Sequence, residues 1–333
     1  MPDILSHVYC ADFARRNFET SSVMRQIIDR HIDAFYLGSQ GPDFLYYFRI
    51  WPWKNDLSVP SMATTIHQSK TAEFLNTAFK SLKSADLGND AGQIPLAYWM
   101  GFLCHYALDS QAHPYIYYFS GIHKDENSKK NGDTHNHKFL ENIIDTLLSE
   151  KHKNVLDLPK NQYACLPKRP GSLKAAYKSV SDTFYAVYGD ELKPEIIQES
   201  VTDMRKLIGL MHDPKRRMRK VFAKVEQLIA KPRYITTAAF PATSGEDIDY
   251  LNLRNEMWVH PCDENITYND SFLDLFDKSV SYATELMQYA WDDYKDTTGQ
   301  FNLEAFLGNY SYDTGLKCDN PCQLQFSDSV FKR

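Results

Sequence analysis

Residues Gly101–Pro114 read GFLCHYALDSQAHP, and they place His105, Asp109 and His113 four residues apart along one predicted helix. At that interval side chains stack on one face of an α-helix. The three side chains extend over about 12 Å along the helix axis, so a single ion cannot bind all of them. The spacing therefore indicates a helix face that offers ligands to more than one ion.

A second predicted helix begins near His135 and repeats the pattern with His137 and Glu141. A lone histidine and carboxylate at this spacing form a surface ion pair in many helices. Two such pairs close together in the sequence, one of them in an apolar helix, are harder to explain in that way, because buried ionisable groups are costly without a compensating ion. Zinc prefers imidazole nitrogen and carboxylate oxygen among the ligands available here. The two helices together predict a multinuclear zinc site.

The composition is that of a globular protein. The chain has 333 residues, of which 43% are hydrophobic and 24% charged. Its net charge of −6 argues against a general affinity for nucleic acid or anionic membranes, because both partners select basic surfaces. One basic run, Lys215–Lys220, is interpreted first as the solvated side of a helix, with a phosphate or membrane patch as the alternative.

The N-terminal sequence and the cysteines bear on the cellular compartment. Residues Met1–His7 lack the basic start and apolar run of a secretory signal, and no apolar stretch approaches the ~18 residues of a membrane span. We therefore expect a cytoplasmic protein. Six cysteines are scattered through the chain, and only Cys318 and Cys322 lie close together. Because no second cysteine pair accompanies them, reduced thiols are expected.

Helical periodicity dominates the rest of the sequence. Helices are predicted over Ser22–Tyr36, His67–Ser84, Ile94–Phe119, Lys138–Ser149, Ser172–Tyr188, Glu195–Met211, Pro214–Ile229 and Phe272–Tyr294. Few segments alternate with period two, which favours an all-α fold. We expect one multi-helix, bundle-like domain over residues 1–333, with the metal-site helices in residues 1–150 and a C-terminal helical layer in residues 171–310. The connection Lys231–Asp270 is long for a loop, and loops of that length are often functional.

Several motifs, taken in order, resemble one known family. Gly41–Phe44 (GPDF), Ile66–His67, Gly101–Asp109 with His113, and His137–Glu141 (HKFLE) are together similar to the zinc-dependent phospholipase C family. The resemblance covers roughly the first half of the chain. It implies a helical bundle of the type shared with the single-strand-specific zinc nucleases, with three zinc ions inside it.

The resemblance also implies which residues bind each ion. One ion would be held by Asp43, His67, His105 and Asp109, a second by His113, His137 and Glu141, and a third by His7 and Asp109 with the N-terminal amine. Secreted members have a tryptophan at the mature N-terminus, where this sequence has Met1 and Pro2, so we expect two or three zinc ions. A role in helix capping or core packing is the alternative for His7.

Asp43 is the predicted general base, because a carboxylate beside the metals could both orient a water molecule and accept its proton. Plain metal ligation is the alternative role. Aromatic residues follow Asp43, and Phe44 and Tyr47 are predicted to bind the substrate, since ring faces attract choline-like cations. Trp53 belongs to the same aromatic group, for which packing in the core or rim is the alternative. Farther along, Asn252, Trp258 and His260 look like a patch that family members carry near the site.

These observations lead to three functional hypotheses. The first is a zinc-dependent phosphodiesterase of the phospholipase C type, which hydrolyses phospholipids with a metal-activated water. The second keeps the metals but acts on another phosphodiester, such as single-stranded nucleic acid. The third is a metal-binding scaffold with little turnover. No stable nucleic-acid binding and at most peripheral membrane contact are expected.

Overall fold

A computed structural model describes residues 3–51, 56–122, 133–213, 239–242, 247–320 and 322–331, together with residue 224. Its α-helices are α1 Ile4–Arg16, α2 Val23–Arg30, α3 Ile32–Gly38, α4 Ser58–Gln68, α5 Thr71–Leu82, α6 Asp90–Ser120, α7 Asp133–Lys151, α8 Gln162–Cys165, α9 Lys174–Tyr188, α10 Pro194–Met211, α11 Phe272–Lys295 and α12 Leu303–Leu307. Two 3-10 helices span Asp43–Tyr47 and Pro170–Leu173. An antiparallel hairpin pairs β1 Trp258–His260 with β2 Asp263–Tyr268. The fold is mostly helical, which confirms the predicted all-α class.

Helix α6 runs through the core and carries the motif that opened the sequence analysis. It spans 31 residues, begins after Asn89, whose side chain caps it, and ends at Gly121. Most of its side chains are buried, because α1, α3, α5, α7, α9 and α11 all pack against it. An apolar helix of this length is stable only when such neighbours cover it on every side.

Two glycines allow α3 to cross α6 at very short range. A Cβ at Gly101 would lie 2.0 Å from the carbonyl oxygen of Phe35, and a Cβ at Gly38 would lie 1.9 Å from that of Tyr98. Any larger residue at either position would push the helices apart. The close crossing brings the segment after α3, with Asp43, towards the middle of α6.

A buried carboxylate fixes the start of α1 against α7. Asp145 accepts hydrogen bonds from the amides of Leu5 and Ser6, at 2.8 and 2.9 Å, and from the hydroxyl of Ser6 at 2.6 Å. Gln162 donates a fourth, at 3.0 Å. The first amides of a helix have no partner within the helix, so Asp145 satisfies them and holds α1 in register with α7.

Some predicted helix boundaries are wrong. The helix predicted over Ser22–Tyr36 is divided at His31, where the backbone leaves the helical region. The helix predicted from His67 begins only at Thr71, because Lys70 has a φ of 53° and separates it from α4. Helices α1 and α4 and the β-hairpin were not predicted. The hairpin lies within the connection Lys231–Asp270, which was expected to be a long loop. Part of that connection is therefore β-strand.

The expectation of reduced thiols is wrong for two cysteines. Cys262, just after β1, is joined to Cys322 in a disulfide that links the hairpin to the C-terminal segment. Cys262 and Cys322 lie sixty residues apart in the sequence. The short spacing that drew attention to Cys318 and Cys322 therefore gave no signal for this disulfide. Cys10, Cys104, Cys165 and Cys318 are free.

Two other predictions fall outside the described residues, namely the helix Pro214–Ile229 with its basic run and the position of Trp53. Among the helices that the structure describes, none combines the length and the apolar character needed to cross a membrane.

Candidate metal centre

Five helical elements bring all eight predicted metal ligands into the core. Helix α1 carries His7, the 3-10 helix carries Asp43, α4 carries His67, α6 carries His105, Asp109 and His113, and α7 carries His137 and Glu141. Seven of the eight are buried, and His137 is partly buried. The structure thus brings together residues that lie up to 134 positions apart in the sequence.

The ligands fall into three groups whose donor atoms lie within 4.8 Å of one another. Two inner clusters share His105: one joins it to His7 and Asp109, the other to Asp43 and His67. The outer cluster consists of His113, His137 and Glu141. The family resemblance implies one ion for Asp43, His67, His105 and Asp109 together, whereas here these four are divided between two overlapping groups.

Asp109 stands between the two inner clusters. Its Oδ1 lies 3.3 Å from Nε2 of His7, and its Oδ2 lies 3.2 Å from Nε2 of His105 and 3.8 Å from that of His67. Each carboxylate oxygen therefore faces a different set of imidazoles. This is the arrangement expected of a carboxylate that bridges two metal ions.

Several buried polar atoms of the inner clusters lack a hydrogen-bonding partner in the described part of the chain. They are both ring nitrogens of His7 and of His105, both carboxylate oxygens of Asp109, and Oδ1 of Asp43. Leaving so many polar atoms unsatisfied in a protein interior is strongly unfavourable. Cations bound among them would satisfy these atoms at once, and imidazole with carboxylate is a donor set suited to zinc. The residues therefore fit the metal.

The outer cluster is compact and faces a cavity. Nε2 of His137 lies 3.4 Å from Nε2 of His113 and 2.8 Å from Oε1 of Glu141. Nε2 of both histidines points into the same small space as the carboxylate, as required for shared coordination.

Burial has different effects on the pKa values of the predicted ligands. Desolvation holds the pKa of His105 and of His113 well below the usual histidine value, so both imidazoles are neutral near pH 7. Burial also raises the pKa of Asp43. For His67, burial lowers the pKa, but the adjacent Asp43 carboxylate outweighs burial and raises it to about 9. Neutral imidazole is the form that coordinates zinc, and a cation at the site would restore the charge that burial opposes on Asp43.

Backbone carbonyls set the tautomers of two ligands. Nδ1 of His67 lies 2.7 Å from the carbonyl of Ala63, and Nδ1 of His113 lies 3.2 Å from that of Tyr312. A carbonyl only accepts, so each Nδ1 carries the proton and donates it. In the neutral form of both rings Nε2 then keeps its lone pair, which faces the cluster, and this is the usual support for a metal-bound histidine.

A cavity of about 530 Å³ opens over the outer cluster. Asp43, His113, His137 and Glu141 contribute its polar side. Apolar side chains from one face of α10 also line the cavity, namely Met204, Leu207, Ile208 and Met211. The cavity thus combines predicted metal ligands with a hydrocarbon surface.

The predicted substrate-binding aromatics have different locations. Tyr47 lines the cavity together with Tyr46 and Tyr117. Phe44 is instead 1% exposed and packs in the hydrophobic core, outside the residues that line the cavity.

The predicted Asn252, Trp258 and His260 patch is buried but does not line this cavity. Its link to the site is indirect, because Nε2 of His260 lies 2.8 Å from the carbonyl of Thr314 in a loop that reaches the outer cluster. That loop, with Asp313 in the cavity wall, was missed from sequence, as was Lys138 beside Glu141. Lys138 lies next to a predicted ligand and could have been noticed, but nothing in the sequence around Asp313 marks it.

Comparison with known proteins agrees with this geometry. The family model described as zinc dependent phospholipase C matches residues 6–190, which include all eight predicted ligands and more than half of the chain. The chain belongs to the zinc-dependent phospholipase C family. Neither a curated protein nor a solved structure matches it. Helix α10 and everything after it lie outside the segment that matches the zinc-dependent phospholipase C model.

Proposed function

We propose that this protein is a phospholipase C-type hydrolase, which uses zinc and water to cleave a phospholipid between glycerol and phosphate. The products would be diacylglycerol and the phosphorylated headgroup. Family membership supports zinc-dependent hydrolysis of phosphate esters. The cavity supports the narrower choice of a lipid.

One observation supports a phospholipid rather than another phosphate ester as the substrate. The cavity brings Asp43 and the outer cluster together with the apolar face of α10. A phospholipid has the same division, since its phosphate adjoins a glycerol that carries hydrocarbon chains. A polynucleotide would instead require cations along its backbone and exposed aromatic surfaces for its bases. Of the described residues that line the cavity, Lys138 is the one lysine or arginine, and it is paired with Asp3 at 2.8 Å.

The proposed chemistry follows from the donor groups. When bound, zinc lowers the pKa of water towards neutrality and stabilises negative charge on a phosphoryl group. The eight ligands would hold the ions. The Asp43 carboxylate reaches the cavity and would orient the attacking water and accept its proton, while the leaving glycerol oxygen takes up a proton from solvent. The α10 face would hold the acyl-bearing part of the substrate and keep bulk water from it.

The test compares wild-type protein with Asp43→Asn on short-chain phosphatidylcholine. We expect zinc-dependent release of phosphocholine by the wild type, and a loss of about 10²-fold or more in Asp43→Asn with an unchanged helical spectrum. Asp33→Asn, on α3 and away from the cavity, is the matched control and should keep full activity. Full turnover by Asp43→Asn would exclude Asp43 as the base.

The same preparation distinguishes the other hypotheses. Release of nucleotides from single-stranded DNA without phosphatidylcholine hydrolysis would favour the nuclease. Zinc binding without either activity would favour the scaffold. Both outcomes would overturn the proposed substrate.

A further inference from the structure

The loop Tyr310–Leu316, here called the C-terminal loop, folds over the metal centre from outside the family segment. It is closed by hydrogen bonds from the Ser311 amide to the Leu316 carbonyl, at 2.8 Å, and from the Gly315 amide to the Ser311 carbonyl, at 2.9 Å. Outside the loop, the Tyr312 amide donates to the carbonyl of His67 at 2.9 Å. The loop is therefore attached directly to the backbone of a predicted ligand.

A proline in α6 prepares the place where the loop sits. Pro114 has no amide hydrogen, so it cannot donate to the Ser110 carbonyl one turn earlier. Gly315 lies over that carbonyl with a φ of +65°, and a Cβ there would lie 2.2 Å from the Ser110 oxygen. Only glycine permits both the backbone conformation and the close approach. The loop therefore sits on α6 within one turn of His113.

Two adjacent loop residues contact both kinds of cluster. The Tyr312 ring is buried, with its centroid 5.3 Å from that of His67 and 5.5 Å from that of His105 in the inner clusters. The Tyr312 carbonyl accepts a hydrogen bond from Nδ1 of His113 in the outer cluster. Oδ1 of Asp313 lies 3.8 Å from the same nitrogen. Its Oδ2 accepts a hydrogen bond of 2.8 Å from Gln68, the neighbour of His67.

We propose that the C-terminal loop is part of the metal centre, with Tyr312 and Asp313 as positioning residues for His113. The Tyr312 carbonyl fixes the His113 tautomer, and the Asp313 carboxylate makes the ring a stronger donor through its charge. Because the loop is also bonded to His67 and Gln68, it sets the separation between the inner and outer clusters. This inference rests on the metal centre of the proposed function but not on its substrate.

The test measures metal directly. Wild type, Asp313→Ala and Gly315→Ala are loaded with zinc, and the affinity of each ion is measured by competition with a chelator. We expect Asp313→Ala to weaken one ion by about 10- to 100-fold and to leave the others unchanged. Gly315→Ala should weaken the same ion, because its Cβ displaces the Tyr312 carbonyl. Asp319→Ala, an exposed change on the same segment, is the matched control and should bind like wild type.

A second readout separates positioning from a general loss of stability. In the cobalt-substituted protein, the visible spectrum of the outer ion should change in Asp313→Ala and Gly315→Ala, with thermal midpoints recorded for both. Wild-type zinc affinities and cobalt spectra in Asp313→Ala would overturn the loop's role while leaving the proposed function intact. A wild-type chain that binds no zinc would instead overturn the metal centre itself.

Discussion

At the scale of single residues, Asp109 differs from the other predicted ligands because each of its carboxylate oxygens faces a different set of imidazoles in the inner clusters. Asp109→Ala should therefore remove the inner ions, whereas His137→Ala should remove roughly one ion, that of the outer cluster. Elemental analysis of purified protein measures this difference. His152→Ala, just after α7, serves as the control and should retain all the zinc. Equal losses in the Asp109 and His137 variants would contradict the division into inner and outer clusters.

The pH dependence of zinc binding follows from the protonation states of the ligands. His67, with a pKa raised to about 9, is protonated in the zinc-free protein at pH 7.5, whereas His105 and His113 are neutral there. Zinc must displace the His67 proton, so apparent affinity should rise with pH and level off above about pH 9. In the zinc-free protein, the same raised pKa contributes stability below pH 6.5 that is lost as pH rises through about 9.

Calorimetry in two buffers of different ionisation enthalpy measures the protons released. We expect His67 to contribute about one proton per chain at pH 7.5 and none above pH 10, in addition to any proton that zinc-bound water releases. His67→Ala should therefore lower the release at pH 7.5 by about one proton, and His113→Ala should not change it. An unchanged release in His67→Ala would assign that proton to another group.

At the scale of elements, Asp145 shows how one helix positions a ligand on another. The Asp145 carboxylate holds the N-terminus of α1 by accepting hydrogen bonds from the amides of Leu5 and Ser6. His7 is the next residue along the helix. Asp145→Ala should lower the free energy of unfolding by about 3 kcal/mol, because two buried amides lose their acceptor. Zinc affinity at the cluster containing His7 should fall with it.

Denaturant unfolding with zinc titration tests this prediction. The control is Asp182→Ala on α9, whose exposed pairing with Lys178 should contribute less than about 1 kcal/mol. If both variants lost the same stability, the anchoring role of Asp145 would be refuted.

The elements also show what sequence periodicity can and cannot predict. The four-residue spacing predicted the candidate ligands of α6 and α7, which the structure brings together, because neighbours on one helix face stay neighbours in any fold. His7, Asp43 and His67 came only with the family resemblance, since each lies on a separate element with no internal pattern. Helix α4 was not predicted because its sequence, Ser58–Gln68, has few large apolar residues to show a helical period.

At the scale of the whole molecule, several features that were missed depend on contacts between distant segments. The Cys262–Cys322 disulfide, the C-terminal loop over His113 and the α10 wall of the cavity join residues far apart in sequence. Such contacts leave no spacing signal in a single sequence. The division of the predicted ligands into inner and outer clusters is of the same kind, because it depends on how five helical elements are arranged.

The crossing of α3 and α6 has a consequence for recognising distant relatives. A position that binds a metal can exchange histidine, aspartate and glutamate and still supply a ligand atom. The residue types at such positions can therefore differ between distant relatives. Gly38 and Gly101 have no such substitutes, because each faces a backbone carbonyl at about 2 Å from where a Cβ would be. A glycine four residues before the first α6 histidine, matched by one in the helix before the Asp43 segment, is therefore a more durable fingerprint of this architecture than the metal ligands are.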